Sequence, residues 1–129
     1  MIFSLLSLLL LSCNDYLDQK RELEKQDMHY AVSFTSFKKH SYEGGYSIFL
    51  YAQVDIWNKA DTANTFNLNE ISLKVGNHIS DEIYIDSFMS TYITEEKILA
   101  QERISYKVYW TFIDVEPDFK NQDIEVMVD

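Results

Sequence analysis

The chain has 129 residues, of which 47% are hydrophobic and 15% aromatic, and a formal net charge of −10. That length suits one domain with a single core. The acidity speaks against nucleic-acid binding, because a strongly negative surface is repelled by phosphate backbones. It speaks equally against adsorption on anionic headgroups.

Residues 2–11 form an apolar stretch interrupted only by two serines. A membrane-spanning helix needs roughly 20 apolar residues, so this stretch is too short to be one, but it suits the h-region of a signal peptide. It runs into Leu8-Leu9-Leu10-Leu11-Ser12-Cys13. That sequence resembles the lipobox of bacterial lipoproteins. In that family an aliphatic residue three places before the cysteine and a small residue just before it fit the lipoprotein signal peptidase. The resemblance implies cleavage after Ser12 and acylation of the Cys13 sulfur by chains of the palmitate class. It implies a lipid-anchored, extracytoplasmic location in the cell envelope, at the outer membrane or cell surface. One departure is that Met1-Ile2-Phe3-Ser4 carries no lysine or arginine, where secretion signals normally begin with positive charge. Residues 13–18 also resemble the mature start of the nutrient-binding lipoproteins that work with TonB-dependent porins. That likeness ends at Asp18 and bears on location alone.

Cys13 is the one cysteine, so no disulfide within the chain is possible and the core alone must hold the domain together. Residues 14–28 are polar, and their apolar positions Leu17 and Leu23 make no stripe. With Cys13 they are expected to form a lipidated tether over 13–28, giving the folded part reach from the bilayer. The domain itself is expected over 29–129.

From Tyr30 the period becomes two: Tyr30, Val32 and Phe34 alternate with Ala31, Ser33 and Thr35, which predicts a strand. After the turn signal Glu43-Gly44-Gly45, residues 46–57 put Tyr46, Ile48, Leu50, Ala52, Val54 and Ile56 on one face and Ser47, Phe49, Tyr51, Gln53, Asp55 and Trp57 on the other. The first face is apolar throughout and belongs in a core. Further strands are predicted at 65–67, 70–75 and 82–88, with a turn at Gly76-Asn77-His78. Residues 91–102 read either as a helical turn or as an extended connection. Residues 104–113 put Ile104, Tyr106, Val108, Trp110 and Phe112 on one face, and 124–128 close the chain. About seven strands with no amphipathic helix between them predict an all-β antiparallel sandwich.

The order of these elements resembles the telokin-like, immunoglobulin-like domain of small bacterial lipoproteins and secreted proteins. The residues that carry the likeness are Val54-Asp55-Ile56-Trp57-Asn58 before a polar loop, Ile71-Ser72-Leu73-Lys74-Val75, and the late strand at 104–112 following Leu99-Ala100-Gln101-Glu102. The resemblance covers about residues 30–129. It implies an immunoglobulin-like sandwich of about seven strands outside the cytoplasm and no catalytic residues. This chain has Ala100-Gln101-Glu102 where the family has a Pro-Gly turn.

Site chemistry is sparse. Asp114, Glu116, Asp118 and Glu125 match a calcium-loop count, but Phe119 and Lys120 occupy the positions that such a loop gives to glycine and to a backbone ligand. His29, His40 and His78 are far apart in sequence, and no nucleophile elbow or phosphate loop is present. The expectation is therefore no metal, no cofactor and no enzymatic activity. The aromatic surplus remains: Phe49, Tyr51, Trp57, Tyr84, Tyr92 and Tyr109 fall on the second faces of their strands. Tyr51, Trp57, Tyr84 and Tyr109 are the candidate binding surface, since exposed Tyr and Trp mark contact sites. The functional expectation is a membrane-anchored binding or interaction module. Its partner would be an envelope or extracellular protein or a glycan, and not nucleic acid. The alternative is a small lipoprotein inhibitor or protective factor that turns its acidic surface against a basic toxin or hydrolase.

Overall fold

The computed structural model describes residues 16–87, 95–115 and 123–129. The described chain folds into ten strands: β1 Tyr16–Lys25, β2 Met28–Tyr42, β3 Gly45–Asn58, β4 Asn64–Phe66, β5 Ile71–Val75, β6 His78–Ile79, β7 Glu82–Ile85, β8 Glu96–Ile98, β9 Arg103–Ile113 and β10 Ile124–Val128. A single 3-10 turn, Leu68–Glu70, precedes β5. All pairings are antiparallel. A five-stranded sheet has the order β1-β2-β3-β9-β7, a three-stranded sheet the order β10-β5-β6, and β4 pairs with β8. This is the all-β antiparallel sandwich expected from the period-two patterning, with more strands than the seven anticipated.

The core lies where that patterning put it. Ile48, Leu50, Ala52, Val54 and Ile56 of β3 and Val108, Trp110 and Phe112 of β9 are buried, against Ile71, Leu73 and Val75 of β5. Each large aliphatic side chain so buried contributes roughly 1.5–3 kcal/mol over leaving it in water. Strand β10 coincides with the predicted 124–128.

Two elements depart from expectation. The segment read as a tether is, from Tyr16 to Lys25, the edge strand β1, paired with β2 from Lys25↔Met28 back to Tyr16↔Ser36. The sheet thus starts well before residue 29. The physical reason is its inward face, Arg21, Leu23 and Lys25, which is half-buried while Lys20, Glu22 and Glu24 are exposed. Two of the three inward residues are cations, so no hydrophobic alternation shows. Arg21 Nε donates to the Ile124 carbonyl at 3.0 Å and Lys25 Nζ to that of Val128 at 3.3 Å, closing the edge of β10 with charge. Cys13 and the predicted signal segment lie outside the described residues, as does Tyr92.

Strand β2 runs seven residues past the predicted Thr35, because Thr35 is an extra residue in the ladder: Phe34 pairs with Ala52 and Ser36 with Tyr51. This bulge shifts the facing, so Phe34 and Phe37, three apart, are both buried. Where β3 ends, Asn58 is fully buried. Its amide reaches the carbonyls of Thr62 (2.9 Å), Leu99 (3.1 Å) and Ile98 (3.3 Å), and its side-chain oxygen accepts from Ala60 N. One polar side chain therefore ties the loop after β3 to the turn before β9. In that turn Gln101 has φ +62°, the left-handed conformation a glycine would adopt without strain. The glutamine has a use there: its amide donates to the carbonyls of Lys59 and Ala60.

Candidate functional site

The outward residues of the five-stranded sheet form one continuous face. Strand register decides which of them meet. Tyr51 is the cross-strand partner of Tyr109, and Tyr109 that of Tyr84. Three of the four predicted binding residues thus stand in a row across β3, β9 and β7. Ring centroids are 5.2 Å apart for both Tyr51–Tyr109 and Tyr84–Tyr109. Phe49 stacks on Tyr109 at 5.3 Å, and His40 packs on Phe49 at 4.6 Å. All three tyrosines are half-buried, and Lys38 Nζ lies over the Tyr51 ring at 5.2 Å. Such contacts are favourable beyond the area they cover.

The stacking geometry limits what the row can present. The rings of Tyr84 and Tyr109 are within 22° of parallel at a spacing close to that of neighbouring strands. They overlap like slates, each ring covering part of its neighbour's face. The Tyr84 hydroxyl donates to the Glu82 carboxylate. The Tyr51 hydroxyl is held above the usual tyrosine range, first by burial, then by the Asp86 carboxylate and by Tyr109. It sits between two shallow grooves of about 280 and 240 Å³, both bounded by Thr35 and Asp86, with Lys38 in one and Lys107 in the other.

Trp57 is not part of this row. It lies six residues along β3 from Tyr51, roughly 20 Å away at the usual strand rise. Its cross-strand partner is Arg103, whose guanidinium carbon stands 4.1 Å from the indole centroid, with Lys59 Nζ at 5.5 Å. It walls a third groove of about 340 Å³ with Glu22, His29, Asp55 and Ser105, floored by the buried Ala31. Nearby, Lys59 and His29 share the Glu24 carboxylate at 2.8 and 3.3 Å and hold its pKa below the ordinary carboxylate value. Sequence reasoning overlooked His40, Lys38 and Asp86 as members of the aromatic site. The one signal for them was outward placement on strands whose pairing was unknown.

Among the described residues no three His, Cys, Asp or Glu side chains converge as metal ligands. Of the calcium-loop candidates, Asp114 accepts from the Tyr42 hydroxyl, Glu125 lies on β10, and Glu116 and Asp118 fall outside the described residues. Among the described residues no helix is long and apolar enough to cross a membrane.

No family model and no curated protein matches the chain. It is similar to one solved structure, described as a functionally unknown protein from Listeria monocytogenes EGD-e. The two are 11% identical with a TM-score of 0.47, over 88% of this chain and 83% of that one.

Proposed function

We propose that this chain is a lipid-anchored, extracytoplasmic binding module without enzymatic activity, and that the tyrosine row centred on Tyr109 is its contact surface. The observation that carries this reading is the alignment of Tyr51, Tyr109 and Tyr84 as direct cross-strand partners on the outward face of the sheet. Tyrosines are rigid, bury large area at small entropic cost and dominate protein contacts. Because the stacked rings cover part of one another's faces, a protein partner fits better than a sugar ring laid flat on an aromatic plane. Acylation of Cys13 at the lipobox-like sequence supplies the address. The net charge of −10 favours a basic partner, and so supports the inhibitor reading as a second possibility within the same contact surface.

The test is photo-crosslinking in cells with a photoreactive residue at Lys107, beside the row. A discrete adduct is expected, lost in Tyr51→Ala/Tyr109→Ala and retained in Trp57→Ala. An adduct unchanged by the double substitution removes the row as the contact surface. Release of the partner by moderate salt would favour the inhibitor reading.

A further inference from the structure

We infer that one end of the sandwich lies directly against the surface of the bilayer that holds Cys13, and that no tether separates them; this rests on the acylation of Cys13 proposed above. The end in question comprises the β2–β3 turn, the last residues of β9 and the β5–β6 turn.

The argument is one of lengths. β1 begins at Tyr16, so only Asn14 and Asp15 stand between it and Cys13. Three residue steps span at most about 11 Å even when fully extended. β1 and β2 are antiparallel, so the chain leading back to Cys13 leaves the sheet in the direction in which β2 continues. Tyr16 pairs with Ser36, and β2 runs on to Tyr42, six residues farther. At the usual strand rise that is roughly 20 Å. The hairpin therefore projects beyond anything the linking residues can reach. A bilayer close enough to hold the acyl chains of Cys13 must meet it, since the headgroup layer of one leaflet is only about 5–8 Å thick.

The surface chemistry agrees. Four large apolar or aromatic side chains are exposed among the described residues: Tyr42, Ile79, Ile113 and Leu99. Tyr42 precedes the β2–β3 turn, Ile113 ends β9, and Ile79 follows the β5–β6 turn, two residues before Asp81, whose carboxylate accepts from Ile113 N. Three of the four thus gather at the end facing the anchor, and only Leu99 lies at the other. Lys39 Nζ lies 4.0 Å from the Tyr46 ring centroid in the same hairpin, a cation–π contact that adds a cation to this end. Tyrosine and lysine are the residues of membrane–water boundaries. Glu43, Asp81 and Asp114 share this end, so the contact sets orientation and the lipid supplies attachment.

The acylated full-length protein has no free thiol, so Glu43→Cys in the β2–β3 turn and Asp61→Cys in the loop after β3 each create a single labelling site. The two positions lie at opposite ends of β3, roughly 45 Å apart at the usual strand rise. With a fluorophore on each and the protein in phosphatidylcholine vesicles bearing headgroup nitroxides, quenching at position 43 is expected to exceed that at position 61 several-fold. Equal quenching, or stronger quenching at position 61, overturns the apposition while leaving acylation intact. Mass spectrometry of the same protein showing an unmodified Cys13 overturns the acylation reading itself, and the apposition with it.

Discussion

Trp110 Nε1 donates to the carbonyl of Ile71 at 2.9 Å, a buried bond that links β9 of the large sheet to β5 of the small one. Both residues are at most 2% exposed. Trp110→Phe keeps an aromatic ring but leaves that carbonyl unpaired and removes part of the volume. A loss of about 3 kcal/mol is expected, combining an unsatisfied buried acceptor with an incompletely filled core. Urea denaturation reads it, with an unchanged m-value marking an intact fold.

Asn58 supports the loop after β3 by bonding on both sides of its amide. Asn58→Ala leaves buried carbonyls without donors and should cost about 2–4 kcal/mol. Asn58→Asp should cost more at neutral pH, because a carboxylate would face the carbonyls of Ile98 and Leu99. The excess should shrink as pH falls and the acid is neutralised. Thermal melts at two pH values separate the two variants.

The β1–β2 connection is a two-residue turn in which Gln26 (φ +51°) and Asp27 (φ +65°) are both left-handed. That is the type I′ geometry, for which Asn-Gly is the preferred pair. Gln26→Asn/Asp27→Gly should raise stability by about 1 kcal/mol, since it relieves the left-handed strain and leaves the backbone bond from Lys59 N to Asp27 O in place. A higher denaturation midpoint checks it. It also checks that β1 belongs to the folded domain, because a turn in a free tether would confer no stability.

Tyr51 titrates above its ordinary value near 10, with burial as the first cause and Asp86 as the second. Burial and a neighbouring carboxylate both disfavour the phenolate, so the folded state holds the proton more tightly than the unfolded chain. The resulting stability is complete below about pH 10 and is lost as pH rises through the folded value. Asp86→Asn should lower the Tyr51 transition in a tyrosinate absorbance titration without returning it to the ordinary value. Tyr51→Phe should remove that transition altogether.

Much of the sandwich was legible because β3, β5, β9 and β10 bury one face against the other sheet, and burial of one face writes a period of two into the sequence. β1 was illegible for the opposite reason: Arg21 and Lys25 point inward to cap β10 carbonyls, so its two faces look alike in composition. The bulge at Thr35 hid the second half of β2 by breaking the alternation between Phe34 and Phe37. For the site, the outward aromatics were readable one strand at a time. Their union was not, because Tyr51, Tyr109 and Tyr84 meet only through the order β3-β9-β7, in which β9 inserts beside β3 from far downstream in the sequence. Trp57 shares β3 with Tyr51 and is separated from the row by distance along that strand.

The anchor proposed at Cys13 underlies both the location and the orientation proposed for this domain, and metabolic labelling with a clickable fatty acid tests it most directly. The native protein is predicted to take up label and Cys13→Ala to take up none. A native protein that stays unlabelled would contradict the account, leaving a β-sandwich with a tyrosine row and no membrane to hold it.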